Sequence, residues 1–223
     1  MKEVFKNVYH LGDSGCSVYL VNTMSTDGLV LIDCGMNLNL IKRIKNINLD
    51  PMDIKHCILT HFHFDHIMAC YDFKNFNNTV KFYANDLDAD AIEEEGHDKE
   101  TGAAWAGGTY KPVKLEKRLK GDETLKLGSY EFQCLHTPGH TPGSISILLE
   151  IENTKILFGQ DLHGPIIPGI SNFDDYQKSL KRLLDLNADI LCEGHFGIFQ
   201  PASEVASYIK GYIEQKRTKR ILD

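Results

Sequence analysis

Three imidazoles and a carboxylate fall within six consecutive positions of the run Thr60-His61-Phe62-His63-Phe64-Asp65-His66. A buried imidazole needs a partner at each ring nitrogen, and leaving one unsatisfied costs roughly 1–3 kcal/mol. Three imidazoles together also repel one another once protonated. Neutral imidazole is a common metal ligand, however, and Asp supplies the harder oxygen that Zn or Fe accepts. Spacing sorts the ligands. In an extended segment His61 and His63 point to one side, because side chains alternate with period two. A helix beginning near Asp65 turns Asp65 and His66 towards a neighbouring point, so one short loop can hold two adjacent cations. A histidine-rich tract without defined geometry is the alternative. Residues 56–60 argue against it, since they read as a buried strand delivering the cluster to its end, where sites gather in layered α/β proteins.

Three more residues carry matching chemistry. His140 stands between two Pro-Gly pairs in His136-Thr137-Pro138-Gly139-His140-Thr141-Pro142-Gly143-Ser144, a rigid turn before a strand. Asp161 follows the apolar run Ile156-Leu157-Phe158-Gly159-Gln160, and His195 ends Leu191-Cys192-Glu193-Gly194-His195. Singly, each is more often structural; their order and shared strand-end context make them candidates. His10, His56 and His136 lie in or beside strands and read as structural. His97 and His163 are placed to meet substrate, and Trp105, Tyr110 and Phe196 to line an apolar pocket.

These residues need a scaffold. Residues 4–9, 16–21 and 29–33 read as strands of an antiparallel meander. Leu38, Ile41, Ile44 and Ile47 recur at helical spacing up to Pro51, and residues 58–60 form the next strand. Residues 80–83 follow as a strand and 87–95 as a helix, before a Gly- and Ala-rich stretch at 96–112 with the composition of a lid loop. The second half offers strands at 130–135, 144–149 and 155–158. Its helices carry apolar faces at Tyr176, Leu180, Leu183 and Leu184, and at Val205, Tyr208, Ile209, Tyr212 and Ile213 after the cap candidate Ser203. Strands then helices in each half suggest an α/β (α+β) chain with two sheets face to face and helices outside, a four-layer αββα sandwich. Periodicity alone leaves other α/β arrangements open.

The 223 residues suit a single domain over 1–223, with no Pro/Ser-rich linker. A net charge of −7 makes nucleic acid a poor partner. The one basic run, Lys216 to Arg220, reads as a solvated helix end. Six scattered cysteines without a CxxC pair look like reduced, buried thiols. The N-terminal residues are charged and lack an apolar h-region, and no apolar run approaches ~18 residues, so the cytoplasm is the expected location.

HxHxDH followed by His, Asp and His at separate strand ends resembles the metallo-β-lactamase superfamily across most of the chain. The resemblance extends to Leu31-Ile32-Asp33-Cys34-Gly35, which looks like the family's early strand and Asp-Gly element. It implies the metallo-β-lactamase fold and two divalent metal ions, Zn first, with Fe or Mn as alternatives. His61, His63 and His140 would hold one ion, Asp65, His66 and His195 the second, and Asp161 would bridge them. Asp33 and Thr60 would orient ligand imidazoles. The implied reaction uses a metal-bound hydroxide to cleave an ester, thioester or lactone of a small-molecule substrate, with Asp65 relaying the proton.

The full His/Asp ligand set is similar to glyoxalase II and the acyl-homoserine lactonases. Class B β-lactamases commonly place Cys or Arg where this chain has Asp161 or His66, which argues against antibiotic hydrolysis. Ile67-Met68-Ala69 replace the Gly-Gly usual after the cluster in glyoxalase II, and Gly164 replaces the Tyr found three residues after the bridging Asp in the lactonases. Neither specificity is therefore fixed. The rivals are a mononuclear iron persulfide dioxygenase-like enzyme and a phosphodiesterase or nuclease of the same superfamily. A homodimer is compatible with all of these readings.

Overall fold

The computed structural model describes residues 2–13 and 15–215; the basic run from Lys216 lies outside the described residues. Among the described residues thirteen strands form two sheets. In the first, β1 (Lys2–Phe5), β2 (Val8–Asp13), β3 (Ser17–Asn22) and β4 (Leu29–Ile32) are an antiparallel meander. Onto β4 the strands β5 (Ile54–Ile58), β6 (Lys81–Asn85) and β7 (Leu115–Leu119) add in parallel. The second sheet holds β8 (Glu123–Leu127), β9 (Tyr130–His136), β10 (Ile145–Ile151) and β11 (Thr154–Gln160), then β12 (Ile190–Glu193) parallel to β11, and β13 (Ile198–Phe199). The helices are α1 (Asn39–Lys45), α2 (Phe64–Ile67), α3 (Cys70–Phe76), α4 (Asp86–Glu93), α5 (Phe173–Asp185) and α6 (Ala202–Ile213). Among the described residues no helix is long and apolar enough to cross a membrane.

Alternation within the apolar runs builds the four layers. Val30, Ile32 and Ile58 face the second sheet and meet Phe132, Ile147, Leu149 and Phe158. Their neighbours Leu29, Leu31 and Cys57 face the other way, onto Leu40, Ile44, Phe73 and Ile92 of α1, α3 and α4. Leu148, Leu157 and Leu191 likewise turn outward to Leu180 and Leu183 of α5 and Val205 and Ile209 of α6. The central strands of each sheet are apolar on both faces, which is why they read as continuous hydrophobic runs. Full burial of each such side chain is worth roughly 1.5–3 kcal/mol.

Local differences from the sequence reading have local causes. Residues 4–9 are two strands, broken at Lys6-Asn7, where Asn7 takes φ 62°. The strand before the histidines ends at Ile58. Ser203 is not a cap: α6 begins at Ala202 with Pro201 in the cap position. The caps that do form are Asn85, accepting from Leu87 N, and Asn172, accepting from Asp174 N and Asp175 N.

Candidate metal centre

Beyond β5 the chain stays extended and is stitched to both sheets: Leu59 N donates to Tyr83 O at 2.8 Å and Ile145 N to Thr60 O at 2.9 Å. His61 and His63 leave this segment on the same side, ring centroids 4.8 Å apart. Helix α2 then begins, and its first turn carries Asp65 and His66. The carbonyl of His66 accepts from Cys34 N and Gly35 N, which locks the turn against the end of β4. His140 sits in the tight turn between β9 and β10. That turn needs Gly139, whose φ is 135° and whose Cβ would lie 2.3 Å from the backbone of Tyr176. Asp161 follows the last residue of β11 and His195 lies two residues past β12.

All seven residues converge. Asp161 Oδ2 lies 3.9 Å from His61 Nε2, 3.4 Å from His140 Nε2 and 3.3 Å from His195 Nε2, while Asp161 Oδ1 lies 3.2 Å from His66 Nε2. His63 Nδ1 and His140 Nε2 are 2.8 Å apart, and Asp65 Oδ2 is 3.2 Å from His195 Nε2 and 3.8 Å from His66 Nε2. His61, His63, His66, His140 and Asp161 are buried.

The hydrogen bonds fix how the rings are presented. Asp33 accepts from Thr60 N, from the Thr60 hydroxyl and from His66 Nδ1, each at 2.8 Å. Having donated to a carboxylate, the Thr60 hydroxyl can only accept from His61 Nδ1–H at 3.0 Å. His140 Nδ1–H donates to Pro165 O at 2.9 Å. In the His61 and His140 rings the remote nitrogen holds the proton, so the Nε2 facing Asp161 presents a lone pair, while His66, with Nδ1 on Asp33, must give up its Nε2 proton to do the same.

A metal fits this arrangement better than hydrogen bonds do. His61 Nε2 is buried without a hydrogen-bond partner, and most of the separations above exceed a normal hydrogen bond. Ligand atoms about 2.1 Å from one tetrahedral ion stand about 3.4 Å apart, which matches the contacts around Asp161. Burial and the neighbouring imidazoles hold His61 and His63 well below the ordinary imidazole range, neutral and ready to ligate. For His195 burial acts the same way but is outweighed by hydrogen bonds to Asp161 and Asp65, which raise it to about 10. Burial raises Asp161, yet His66, His140 and His195 together hold it well below the carboxylate range.

The cluster opens onto a cavity of about 190 Å³ walled by Phe64, Thr101, Gly102, Trp105, Pro165 and Ile167, with Asp65 and His163 at its edge. Of the residues the sequence offered for a pocket, Trp105 and His163 line this cavity. Three other expected pocket residues do not line it. Tyr110 is buried in the core and donates its hydroxyl to Ile92 O at 3.1 Å. His97 faces Glu100. Phe196 is exposed, with its ring edge against His163 at 4.8 Å. Sequence reasoning missed two buried carboxylates. Asp88 accepts from Phe62 N, Thr141 Oγ1 and Gly143 N, and Glu193 accepts from His195 N and Phe196 N. Only Glu193, two residues before His195, carried a hint in its position.

The metallo-β-lactamase superfamily model matches residues 11–195, most of the chain and every candidate ligand. The chain belongs to the metallo-β-lactamase superfamily. Within it, the chain is 31% identical over 160 residues to a hydroxyacylglutathione hydrolase of Haemophilus influenzae, covering 68% of this chain and 71% of that protein. It is 35% identical over 96 residues to an acyl-coenzyme A thioesterase of Gallus gallus, covering 40% of this chain but only 34% of that one. The fold matches that of a subclass B3 metallo-β-lactamase of Bradyrhizobium japonicum with a TM-score of 0.79 at 20% identity, over 96% of this chain and 90% of the other. Superfamily members are largely hydrolytic metalloenzymes that bind divalent ions, and the His/Asp cluster here is able to hold metal.

Proposed function

We propose that this superfamily hydrolase cleaves carboxylic ester or thioester bonds of a small molecule, with two divalent ions, Zn first, held by His61, His63 and His140 and by Asp65, His66 and His195, and with Asp161 shared between them. The observation that carries this reading is the convergence of both ligand groups on one buried carboxylate at the floor of a partly apolar cavity.

When bound, the ion pair supplies Lewis acidity that lowers the pKa of water and polarises an acyl oxygen. The protein's own residues do the rest. Burial raises Asp65 but His66 and His195 outweigh it and keep it ionised. Half-buried at the cavity edge, its carboxylate can accept a proton from the attacking water and return it to the leaving oxygen or sulfur. Phe64, Trp105, Pro165 and Ile167 form an apolar wall that suits the acyl portion and sheds water. Similarity to relatives named acyl-coenzyme A thioesterase and hydroxyacylglutathione hydrolase supports a preference for thioesters among the acyl bonds. Six buried, unpaired cysteines suit a reducing compartment, which supports the cytoplasm.

The test combines metal analysis of freshly purified protein with a panel of acyl-coenzyme A and glutathione thioesters, lactones, and bis-p-nitrophenyl phosphate. Two ions per chain and preferential thioester or ester hydrolysis are expected. One iron per chain, with sulfite formed from a persulfide, would sink the proposal.

A further inference from the structure

Besides Asp33, two carboxylates in the interior are left over once the ligands are assigned: one is bonded to the loops of the first ligand group, the other to the loops that carry His195 and Asp161. Asp88, in the first turn of α4, is 1% exposed. Its Oδ2 accepts Phe62 N at 3.2 Å and the Thr141 hydroxyl at 2.7 Å, and its Oδ1 accepts Gly143 N at 2.6 Å. Phe62 lies between His61 and His63, while Thr141 and Gly143 follow His140. One carboxylate thus ties together two loops distant in sequence that bring the three imidazoles of one group into register. Glu193, 0% exposed at the end of β12, does the equivalent on the other side. Its Oε2 accepts His195 N at 2.7 Å and Phe196 N at 2.8 Å, and its Oε1 meets His163 N at 3.3 Å and His163 Nδ1 at 2.8 Å.

Burying a carboxylate is expensive, and a well-packed apolar side chain in its place is often neutral or better for stability. Among the described residues no lysine or arginine pairs with either group. What each carboxylate provides, and an apolar side chain cannot, is several acceptor sites at one point, which fix converging backbone N–H groups in space. Because the donors of Asp88 flank one ligand group and those of Glu193 include the other's His195, the two clamps act on different parts of the centre.

We infer that Asp88 and Glu193 are positioning residues that tune the two halves of the metal centre separately, Asp88 the His61, His63 and His140 half and Glu193 the half containing His195. The inference rests on the two-ion reading of the site. It needs no substrate to test.

Full-length apoprotein is titrated with Zn(II) against a chromophoric chelator to obtain stepwise affinities, and with Co(II) to follow each site by its absorption spectrum. His140→Ala and His195→Ala identify which affinity belongs to which half. Asp88→Asn must turn an amide N–H₂ towards Phe62 N–H or Gly143 N–H, and is expected to weaken the His140 half about 10–100-fold while leaving the other within about threefold. Glu193→Ala is expected to do the reverse. Glu193→Gln, which keeps an oxygen for His195 N and Phe196 N, should recover most of the loss. Circular dichroism of each apoprotein checks folding, and Thr141→Val, which removes a single donor from Asp88, replaces Asp88→Asn if that variant does not fold. Two ions in the wild type with both halves weakened alike, or neither weakened, overturns the inference alone. A single ion in the wild type overturns both it and the two-ion reading.

Discussion

Asp33 Oδ2 lies 2.8 Å from His66 Nδ1, and the same oxygen takes the hydroxyl of Thr60, which in turn accepts from His61. One carboxylate therefore orients imidazoles assigned to different ions. Asp33→Asn should weaken binding of both ions by about 10–100-fold, because its amide cannot accept from all three donors. Thr60→Val should act mainly through His61 and so on one ion. Chelator competition titrations of the two variants check this; a Thr60→Val effect as large and as evenly spread as that of Asp33→Asn would contradict the relay.

The contacts around Asp161 give the bridging assignment its sharpest consequence. Asp161→Ala should remove most hydrolytic activity and at least one metal ion, whereas His97→Ala, whose ring faces Glu100 away from the cavity, should leave metal content unchanged. Elemental analysis decides it. Normal loading of the Asp161 variant would refute the bridge.

The candidate ligands were legible because coordination demands particular residue types at strand ends: His61, His140, Asp161 and His195 stood out by type and shared context, while their division into two groups came from the family resemblance. The cavity wall was not. Trp105 and Tyr110 look alike in sequence, yet the loop turns one to the cavity and buries the other in the core. A buried carboxylate such as Asp88 is indistinguishable in sequence from a solvated one at a helix start. The strands β4, β10 and β11 were visible as apolar runs because both of their faces are covered. Strands β7 and β8 were invisible because they lie at sheet edges, where Leu119, Leu125 and Leu127 suffice among charged neighbours.

Metal uptake should compete with protons. Without ions His195 is raised to about 10, and His66 is held well above its ordinary value by Cys16, Asp161, Asp33 and Asp65, which overcome its burial. Both are protonated at neutral pH and must lose a proton to ligate. Affinity should therefore fall as pH falls, by about tenfold per pH unit for each proton displaced. Titrations at several pH values, with proton release measured in buffers of differing ionisation enthalpy, test the sign; pH-independent affinity would contradict it.

Asp88 carries a separate pH signature in stability. Burial, only partly offset by its three hydrogen bonds, raises its carboxyl to about 6. With the folded value above the unfolded 3.8, the native state binds the extra proton, so this group's contribution is fully present below about 3.8 and is lost as pH rises through 6. At about 1.4 kcal/mol per pH unit the whole effect is on the order of 3 kcal/mol. Asn cannot titrate, so the stability of Asp88→Asn relative to wild type should improve between acid and neutral pH. Denaturant melts of both apoproteins across that range would show a constant difference if Asp88 does not titrate there.

Gly194 joins strand packing to the metal centre. A Cβ at this position would lie 2.3 Å from Asp161 Oδ1 and 3.1 Å from the carbonyl of Gln160, so the carboxylate must move. The backbone cannot yield easily, because Gly194 O accepts from Ser17 N at 2.6 Å and Gly194 N donates to Gln160 O at 3.0 Å. Gly194→Ala should therefore displace Asp161 and weaken metal binding by a factor approaching that of removing the carboxylate. Gly211, inside α6 with open space around its Cα, provides the contrast. Gly211→Ala should raise stability by roughly 0.5–1 kcal/mol through helix propensity and leave metal content unchanged. Metal analysis and thermal melts of the pair distinguish loss of site geometry from a general response to an added methyl group, and normal metal affinity in Gly194→Ala would show that Asp161 is not held where these contacts place it.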